Sequence, residues 1–250
     1  MNTNKNLKIS TIGIGNGGCN IISYLANKNF NQTDLIAIDT NLQSLNEIKF
    51  VKKIELKKVL IENMNLGLNL TEVKYSNLES YKNLKENLKS NDVVFIVSTF
   101  GAKTGTIVSS IIAQICKELN IFLISIITTP FNWEGNKREE LAKLGIEELK
   151  NISDLLIVIS NEKLLEIMSD DFDAEKTFQL LDDAFLQVIQ NFINRIYEGR
   201  DNKKNIKELL IEKLFVLNYK EHTLGVTLSC NSLNQMSDLE NIEIKFVENN

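Results

Sequence analysis

The stretch from Asp92 to Leu119 constrains the fold more than any other, because it reads strand, glycine loop, helix. Val93-Val94-Phe95-Ile96-Val97 is a short run of β-branched and aromatic residues, the composition of a strand buried on both faces of a parallel sheet. Gly101-Ala102-Lys103-Thr104-Gly105-Thr106 breaks that pattern, and Ile107, Ile111, Ile112, Ile115 and Leu119 then recur at helical spacing. Such a loop leaves backbone N–H groups free at a helix N-terminus, where the helix dipole favours an anion. Small residues let a phosphate approach the main chain, and Thr104 and Thr106 add hydroxyl donors. The same residues also suit a plain strand-to-helix turn that uses glycine for its backbone angles. Alone, the loop leaves both readings open.

The rest of the chain repeats the motif. Leu7 to Ile14 reads as a strand, followed by a loop Gly13 to Asn20 whose glycines at 13, 15 and 18 fit G-x-G-x-x-G, then a helix from Ile21 to Asn29. Leu35 to Ile38 is a second strand with Asp39 at its carboxyl end, suited either to a ribose hydroxyl or to capping the next segment. Asn41 to Leu78 is polar and weakly patterned, and Leu78 to Leu88 reads as a helix. Ile121 to Ile127 is a buried strand, stopped by the single proline of the chain in Thr128-Thr129-Pro130-Phe131. Asn132 to Arg138 is a loop leading into a helix that runs from Arg138 to Leu149, and Leu155 to Ile159 is a further strand ending at Ser160-Asn161-Glu162.

This alternation predicts an α/β fold, a mainly parallel sheet with helices on both faces. Its ligand crevice should lie at the carboxyl ends of the strands, where all the polar loops fall. Asp173 to Tyr197 is the longest helix, and Phe178, Leu181, Phe185, Val188, Ile189, Phe192, Ile193 and Ile196 keep 3-and-4 spacing over most of its length, so it should be largely buried. Asp182 and Asp183 interrupt it, either as a solvated patch or as a carboxylate offered to a base edge. Beyond Gly199 the composition turns basic and polar. A helix from Ile206 to Leu217 and strands at Thr223 to Leu228 and Ile242 to Val247 make a reduced C-terminal α+β element. The expected division is 7–197 and 198–250.

Composition removes several function classes. A net charge of −5 gives no basic field for nucleic acid. Three scattered cysteines and one histidine, His222, support neither a disulfide framework nor a zinc site, and leave a Ser-His-Asp set implausible. No apolar run is long enough to span a membrane, and Met1 to Asn6 has no apolar core of a signal peptide, so the expected location is the cytoplasm.

Taken together, the motifs resemble the FtsZ/tubulin family over roughly Leu7 to Ile196. Gly13 to Asn20 resembles its first glycine-rich nucleotide loop, and Ala37-Ile38-Asp39-Thr40-Asn41-Leu42-Gln43 its second. Gly101 to Thr106 resembles the signature Gly-Gly-Gly-Thr-Gly-Thr-Gly, with Ala102, Lys103 and Ile107 in place of glycines. Pro130 to Arg138 is similar to the loop whose Glu and Arg contact ribose and phosphate. Asn161 to Leu165 and Phe178 to Asp183 resemble the base-binding segment and the start of the central helix. The resemblance implies a GTP or GDP site, with Mg²⁺ accompanying GTP and no metal ligand from the protein. Its residues would be Gly15, Asn16, Gly17, Gly18, Cys19 and Asn20, then Gly101, Ala102, Lys103, Thr104, Gly105 and Thr106. Glu134 would meet ribose, Arg138 the sugar-phosphate side, and Asn161, Phe178 and Asp182 the base. Lys103 is either a phosphate contact or a solvated lysine.

The departures bear on activity. Asn65-Leu66-Gly67-Leu68-Asn69 only weakly echoes the family's γ-phosphate loop. The family carries an acidic Asn-x-Asp-x-x-Asp loop after the central helix, which completes the active site of the next subunit. Here that region is Arg200-Asp201-Asn202-Lys203-Lys204-Asn205-Ile206-Lys207, and no catalytic residue is assigned. The expectation is a guanine-nucleotide-binding cytoskeletal or cell-division protein with GTPase activity weak or lost, partnered by itself or by a complete FtsZ-like protein. Two alternatives stay open: an NAD-dependent oxidoreductase using Gly13, Gly15, Gly18 and Asp39, and a nucleotide-independent scaffold with a relic pocket.

Overall fold

The computed structural model describes residues 7–57, 79–162, 174–200, 223–224, 226–230 and 244–245. Seven strands form one sheet. They are β1 (Ile9–Ile14), β2 (Asp34–Asp39), β3 (Lys52–Glu55), β4 (Val93–Thr99), β5 (Phe122–Thr129), β6 (Leu155–Ser160) and β8 (Val226–Cys230), in the order β3-β2-β1-β4-β5-β6-β8. The first six are parallel, and β8 joins the edge antiparallel, with Leu155 opposite Cys230 and Ile159 opposite Val226. β7 (Thr223–Leu224) pairs with β9 (Ile244–Lys245) apart from this sheet. The strand at Val226–Cys230, which the sequence reading assigned to a reduced C-terminal element, therefore extends the main sheet.

Six helices are described: α1 (Gly15–Asn27), α2 (Leu42–Glu47), α3 (Glu79–Leu88), α4 (Lys103–Glu118), α5 (Asn136–Ile152) and α6 (Ala174–Arg200). Strand side chains alternate between two cores because their period is two. Val93, Phe95 and Val97 face one core with Ile21, Ile22 and Leu25 of α1 and Phe185, Ile189 and Ile193 of α6. Val94 and Ile96 face the other, with Tyr81, Leu84 and Leu88 of α3, Ile107, Ile111, Ile112 and Ile115 of α4, and Leu149 of α5. A parallel sheet covered on both faces needs apolar strands throughout, and β4 is buried from Val93 to Ser98.

The chain runs outward from β1 to β2 and β3 on one side, then returns to place β4 on the other side of β1. The order reverses between β1 and β4, and a crevice opens there beyond the strands' carboxyl ends. Both glycine loops leave the sheet at that point.

Two boundaries differ from the sequence expectation, for one physical reason. The spacing predicts helices from Ile21 and Ile107, yet α1 begins at Gly15 and α4 at Lys103. Glycine has poor intrinsic helix propensity, so the loops read as breaks. Close packing overrides that preference: a Cβ on Gly18 would stand 2.4 Å from the carbonyl oxygen of Val97, so only glycine lets α1 lie against β4. The weakly patterned stretch after Asp39 proves to hold α2 and β3. Asn65 to Asn69, Asp201 to Lys207 and the helix expected over Ile206 to Leu217 lie outside the described residues. No helix among the described residues is long and apolar enough to cross a membrane.

Candidate functional site

A cavity of about 850 Å³ occupies the crevice at the reversal point. That is within the range of small-molecule sites. Two helices, α1 and α4, open on it by their first turns, and a third, α5, reaches it with Arg138. Gly15, Asn16 and Gly17 of α1 line it, Ala102, Thr104 and Gly105 line it at the start of α4, and Arg138 lines it from the first turn of α5. None of the three helices has a side-chain cap, and α1 and α4 have no acidic residue in the first turn. The first N–H groups of α1 and α4 therefore lack an intrahelical acceptor and a side-chain substitute, whereas in α5 the Arg138 N–H donates back to Gly135 O at 3.0 Å. The partial positive charges of α1 and α4 converge on one space, the electrostatic demand of a polyanion.

The contrast with α2 is instructive. Asn41 Oδ1 accepts from the N–H groups of Gln43 at 3.0 Å and Ser44 at 3.3 Å, so that helix is closed by its own side chain. Asp39, buried at the end of β2, likewise accepts from Thr40 N–H at 2.6 Å and Asn41 N–H at 3.2 Å. Of its two sequence readings, the capping one is seen in the structure, and Asp39 also lines the cavity.

The other wall is the loop after β5. Glu134 Oε1 accepts from Phe131 N–H at 2.9 Å, and Glu134 Oε2 pairs with Arg138 Nη1. Trp133 stacks on Phe131, ring centroids 4.3 Å apart and 7° from parallel. Glu162 accepts from Asn132 N–H and ties this loop to the end of β6. Asn161 lies beside it, 6% exposed, and its Oδ1 has no hydrogen-bond partner among the described residues. A buried acceptor without a donor is costly, so this atom is open to a donor from a ligand in the cavity.

Of the residues expected at the site, ten line the cavity: Gly15, Asn16, Gly17, Asn20, Ala102, Thr104, Gly105, Glu134, Arg138 and Asn161. Gly18 and Cys19 do not. Cys19 Sγ points under α1 toward the carbonyl oxygens of Gly13 and Ile38, and burial pushes its thiol up to about 12. Thr106 is buried and its hydroxyl donates to Ala102 O at 2.9 Å while accepting from Gly101 N–H at 3.2 Å, so it braces the loop instead of offering a free donor. Gly101 is buried at φ +101° behind the loop, and Lys103 is exposed at the rim. Phe178 lies on α6, and its side chain is outside the described residues.

Asp182 is half-buried on α6 and does not line the cavity. Its neighbour Asp183 accepts from the Tyr24 hydroxyl, one turn beyond Asn20 on the same face of α1. Burial, with Asp183 adding repulsion, raises the Asp182 carboxyl from 3.8 to about 6. Ser44, Thr99 and Trp133 line the cavity without having been singled out. Thr99 had a usable signal, since it is the last residue of β4, just ahead of the glycine loop. Among the described residues no three His, Cys, Asp or Glu side chains gather as a metal site. That is compatible with Mg²⁺, which is held mainly by phosphates and water.

The model of the Tubulin/FtsZ family, GTPase domain, matches residues 8–169. The chain is 34% identical over 193 residues to the cell division protein FtsZ of Buchnera aphidicola, covering 77% of this chain and 50% of that one. It is 32% identical over 192 residues to the mitochondrial division protein fszB of Dictyostelium discoideum, with 75% and 52% covered. The chain thus spans about half the length of these relatives. Among solved structures, an empty FtsZ dimer from M. jannaschii superimposes with a TM-score of 0.65 at 29% identity, covering 77% of this chain and 56% of that one.

Proposed function

The chain belongs to the Tubulin/FtsZ family, and on that premise we propose that the cavity between β1 and β4 binds a guanine nucleotide, GTP or GDP, and that GTP hydrolysis is weak. The observation that carries this reading is the convergence of two uncapped helix N-termini, those of α1 and α4, on one cavity also lined by Asn161, whose Oδ1 has no hydrogen-bond partner among the described residues. A nucleotide answers both demands at once. Its phosphates accept from the helix amides, and a base N–H donates to Asn161.

In this reading the amides of Gly15, Asn16 and Gly17 and those opening α4 hold the phosphates, with Thr104 adding its hydroxyl. Glu134 accepts from the ribose, and Arg138, oriented by Glu134, faces the sugar-phosphate side. Asp182, on α6 and outside the cavity's lining, would turn in to accept from the base, while its neighbour Asp183 is held by Tyr24. Mg²⁺ would ride on the phosphates of GTP. The chain would associate with a second copy or with a complete FtsZ-like protein, in a cytoskeletal or cell-division role.

A thermal-shift panel of GTP, GDP, ATP and NAD tests the binding. A ligand at about 100 times its dissociation constant adds about 2.7 kcal/mol of stability when it binds only the folded state. GTP and GDP should raise the transition, with ATP and NAD well behind. No shift with millimolar GTP or GDP sinks the reading, and a larger shift with NAD returns the chain to the oxidoreductase alternative.

A further inference from the structure

The loop joining α2 to β3 holds one residue in a backbone conformation that its side chain does not suit. Three non-glycine residues among those described have positive φ: Asn29, Phe50 and Asn120. Asparagine tolerates the left-handed region, whereas a phenylalanine there, at φ +62°, is strained. Strain of this kind persists where a position serves a function. Its effect here is to hold a ring out in solvent: Phe50 is 86% exposed, the most exposed large apolar side chain among the described residues. Its neighbours turn inward, Ile48 buried and Val51 half-buried against the core.

Cations flank that ring. Lys49 and Lys52 are exposed, with no ion pair or hydrogen bond to a described residue. Phe50 and Lys52 also border a crevice of about 530 Å³ at the amino ends of β1, β2 and β3, together with Lys8 and Phe30. Lys8 there donates to Ser90 Oγ at 2.7 Å, and Asp34 is the one carboxylate in the lining. This crevice and the nucleotide cavity lie at opposite ends of the strands. A protein partner would ask for a broad apolar patch, and the loop offers a single ring among lysines. An apolar point inside a basic rim is complementary to a surface that is anionic outside and apolar just beneath.

We propose that the α2–β3 loop docks this chain on an anionic phospholipid surface, Phe50 entering the boundary between headgroups and acyl chains while Lys49 and Lys52 hold the phosphates. Aromatic rings settle at that depth, and each lysine near an anionic leaflet adds attraction. The crevice beside the ring gives one headgroup a place against Lys52. The chain carries a net charge of −5, so an anionic surface repels it as a whole and is met only through a local basic face. Docking of this kind is peripheral and needs no spanning helix. The nucleotide cavity, at the other end of the strands, would face away from the lipid and stay open. The inference does not depend on what that cavity binds.

Flotation of the full chain with lipid vesicles tests this. Wild type should float with vesicles holding about 30% phosphatidylglycerol, stay behind with pure phosphatidylcholine, and be released by about 0.5 M salt, where charge attraction is screened. Phe50→Asn should melt no lower than its parent, since Asn suits the backbone and the lost ring lies in solvent. It should nonetheless bind the anionic vesicles about tenfold more weakly or worse. A Lys49→Gln, Lys52→Gln double variant should also lose about tenfold or more. A wild type that does not float, or a Phe50→Asn variant that floats as wild type does, overturns the proposal. So does a chain that ignores the vesicles and instead forms a Phe50-dependent dimer or captures a labelled polyglutamate peptide through Phe50, either of which assigns the loop to a protein.

Discussion

Gly15 and Gly105 touch across the mouth of the cavity: a Cβ built on Gly15, at φ +71°, would stand 3.1 Å from the amide nitrogen of Gly105. Two helix N-termini thus abut with like partial charges facing one space, and the absence of side chains is what permits it.

Gly105→Ala should therefore harm both stability and binding. The added methyl would meet Thr99 O at 2.6 Å and Ser98 Oγ at 2.8 Å, and Ser98 is itself held by Ile14 O at 3.1 Å. Overpacking of this kind costs about 1–3 kcal/mol. The first turn of α4 would also shift off the phosphate position. Urea unfolding and a GDP titration read the two effects, and a variant as stable as its parent would mean that the contact relaxes freely.

Packing on α6 should rank clearly. Phe185 and Ile189 are fully buried in the core shared with α1, so truncating either to Ala should cost about 2–5 kcal/mol. Asp183 is not merely solvated, since it accepts from Tyr24, and Asp183→Ala should cost about 1 kcal/mol. Equal losses in denaturant unfolding would show that the helix face has been misassigned.

Asp182 gives a pH signature. Its folded-state carboxyl, raised from 3.8 to about 6, binds a proton more tightly than in the unfolded chain, so its contribution to stability falls as pH rises from about 4 to about 6 and is level above that. Allowing for its partial exposure, the change is about 1–2 kcal/mol. Asp182→Asn should flatten that part of the stability profile. A base N–H donating to the ionised carboxylate would hold it charged, so GTP uptake near pH 6 should release a proton, measurable by calorimetry in two buffers of different ionisation heat. Proton-neutral uptake would remove Asp182 from the base contact.

Hydrolysis is expected to be slow. Catalysis of phosphoryl transfer is largely positioning and charge stabilisation, and Asn202 to Lys207 brings amides and lysines where the resemblance leads one to expect acids. A protonated lysine cannot accept a proton from water. Turnover should fall below that of a complete FtsZ by ~10²-fold or more, the scale of a general base. Phosphate release across a concentration series decides it, and a per-molecule rate climbing to ordinary FtsZ levels would refute the expectation.

Much of the architecture was legible because a parallel sheet covered on both faces demands continuous apolar strands, and Val93 to Val97 and Leu155 to Ile159 are such runs. The site was legible as stretches and less so as side chains. Asn16 and Asn20 are four residues apart on one face of α1 and both reach the cavity, whereas Cys19 between them turns to the sheet. That distinction needs the helix phase, and the phase was hidden because the helix begins inside the glycine run. Short elements such as α2 and β3 carry too few residues for any period to show. Trp133 had no pattern to join.

That tryptophan has a consequence of its own. It is the single Trp of the chain, 63% exposed, stacked on Phe131 and bordering the cavity. Indole emission follows the polarity around the ring, so the protein carries one native fluorophore at the doorway of its candidate site. Occupancy there can be followed by intrinsic fluorescence, with no label and no second tryptophan to obscure the signal.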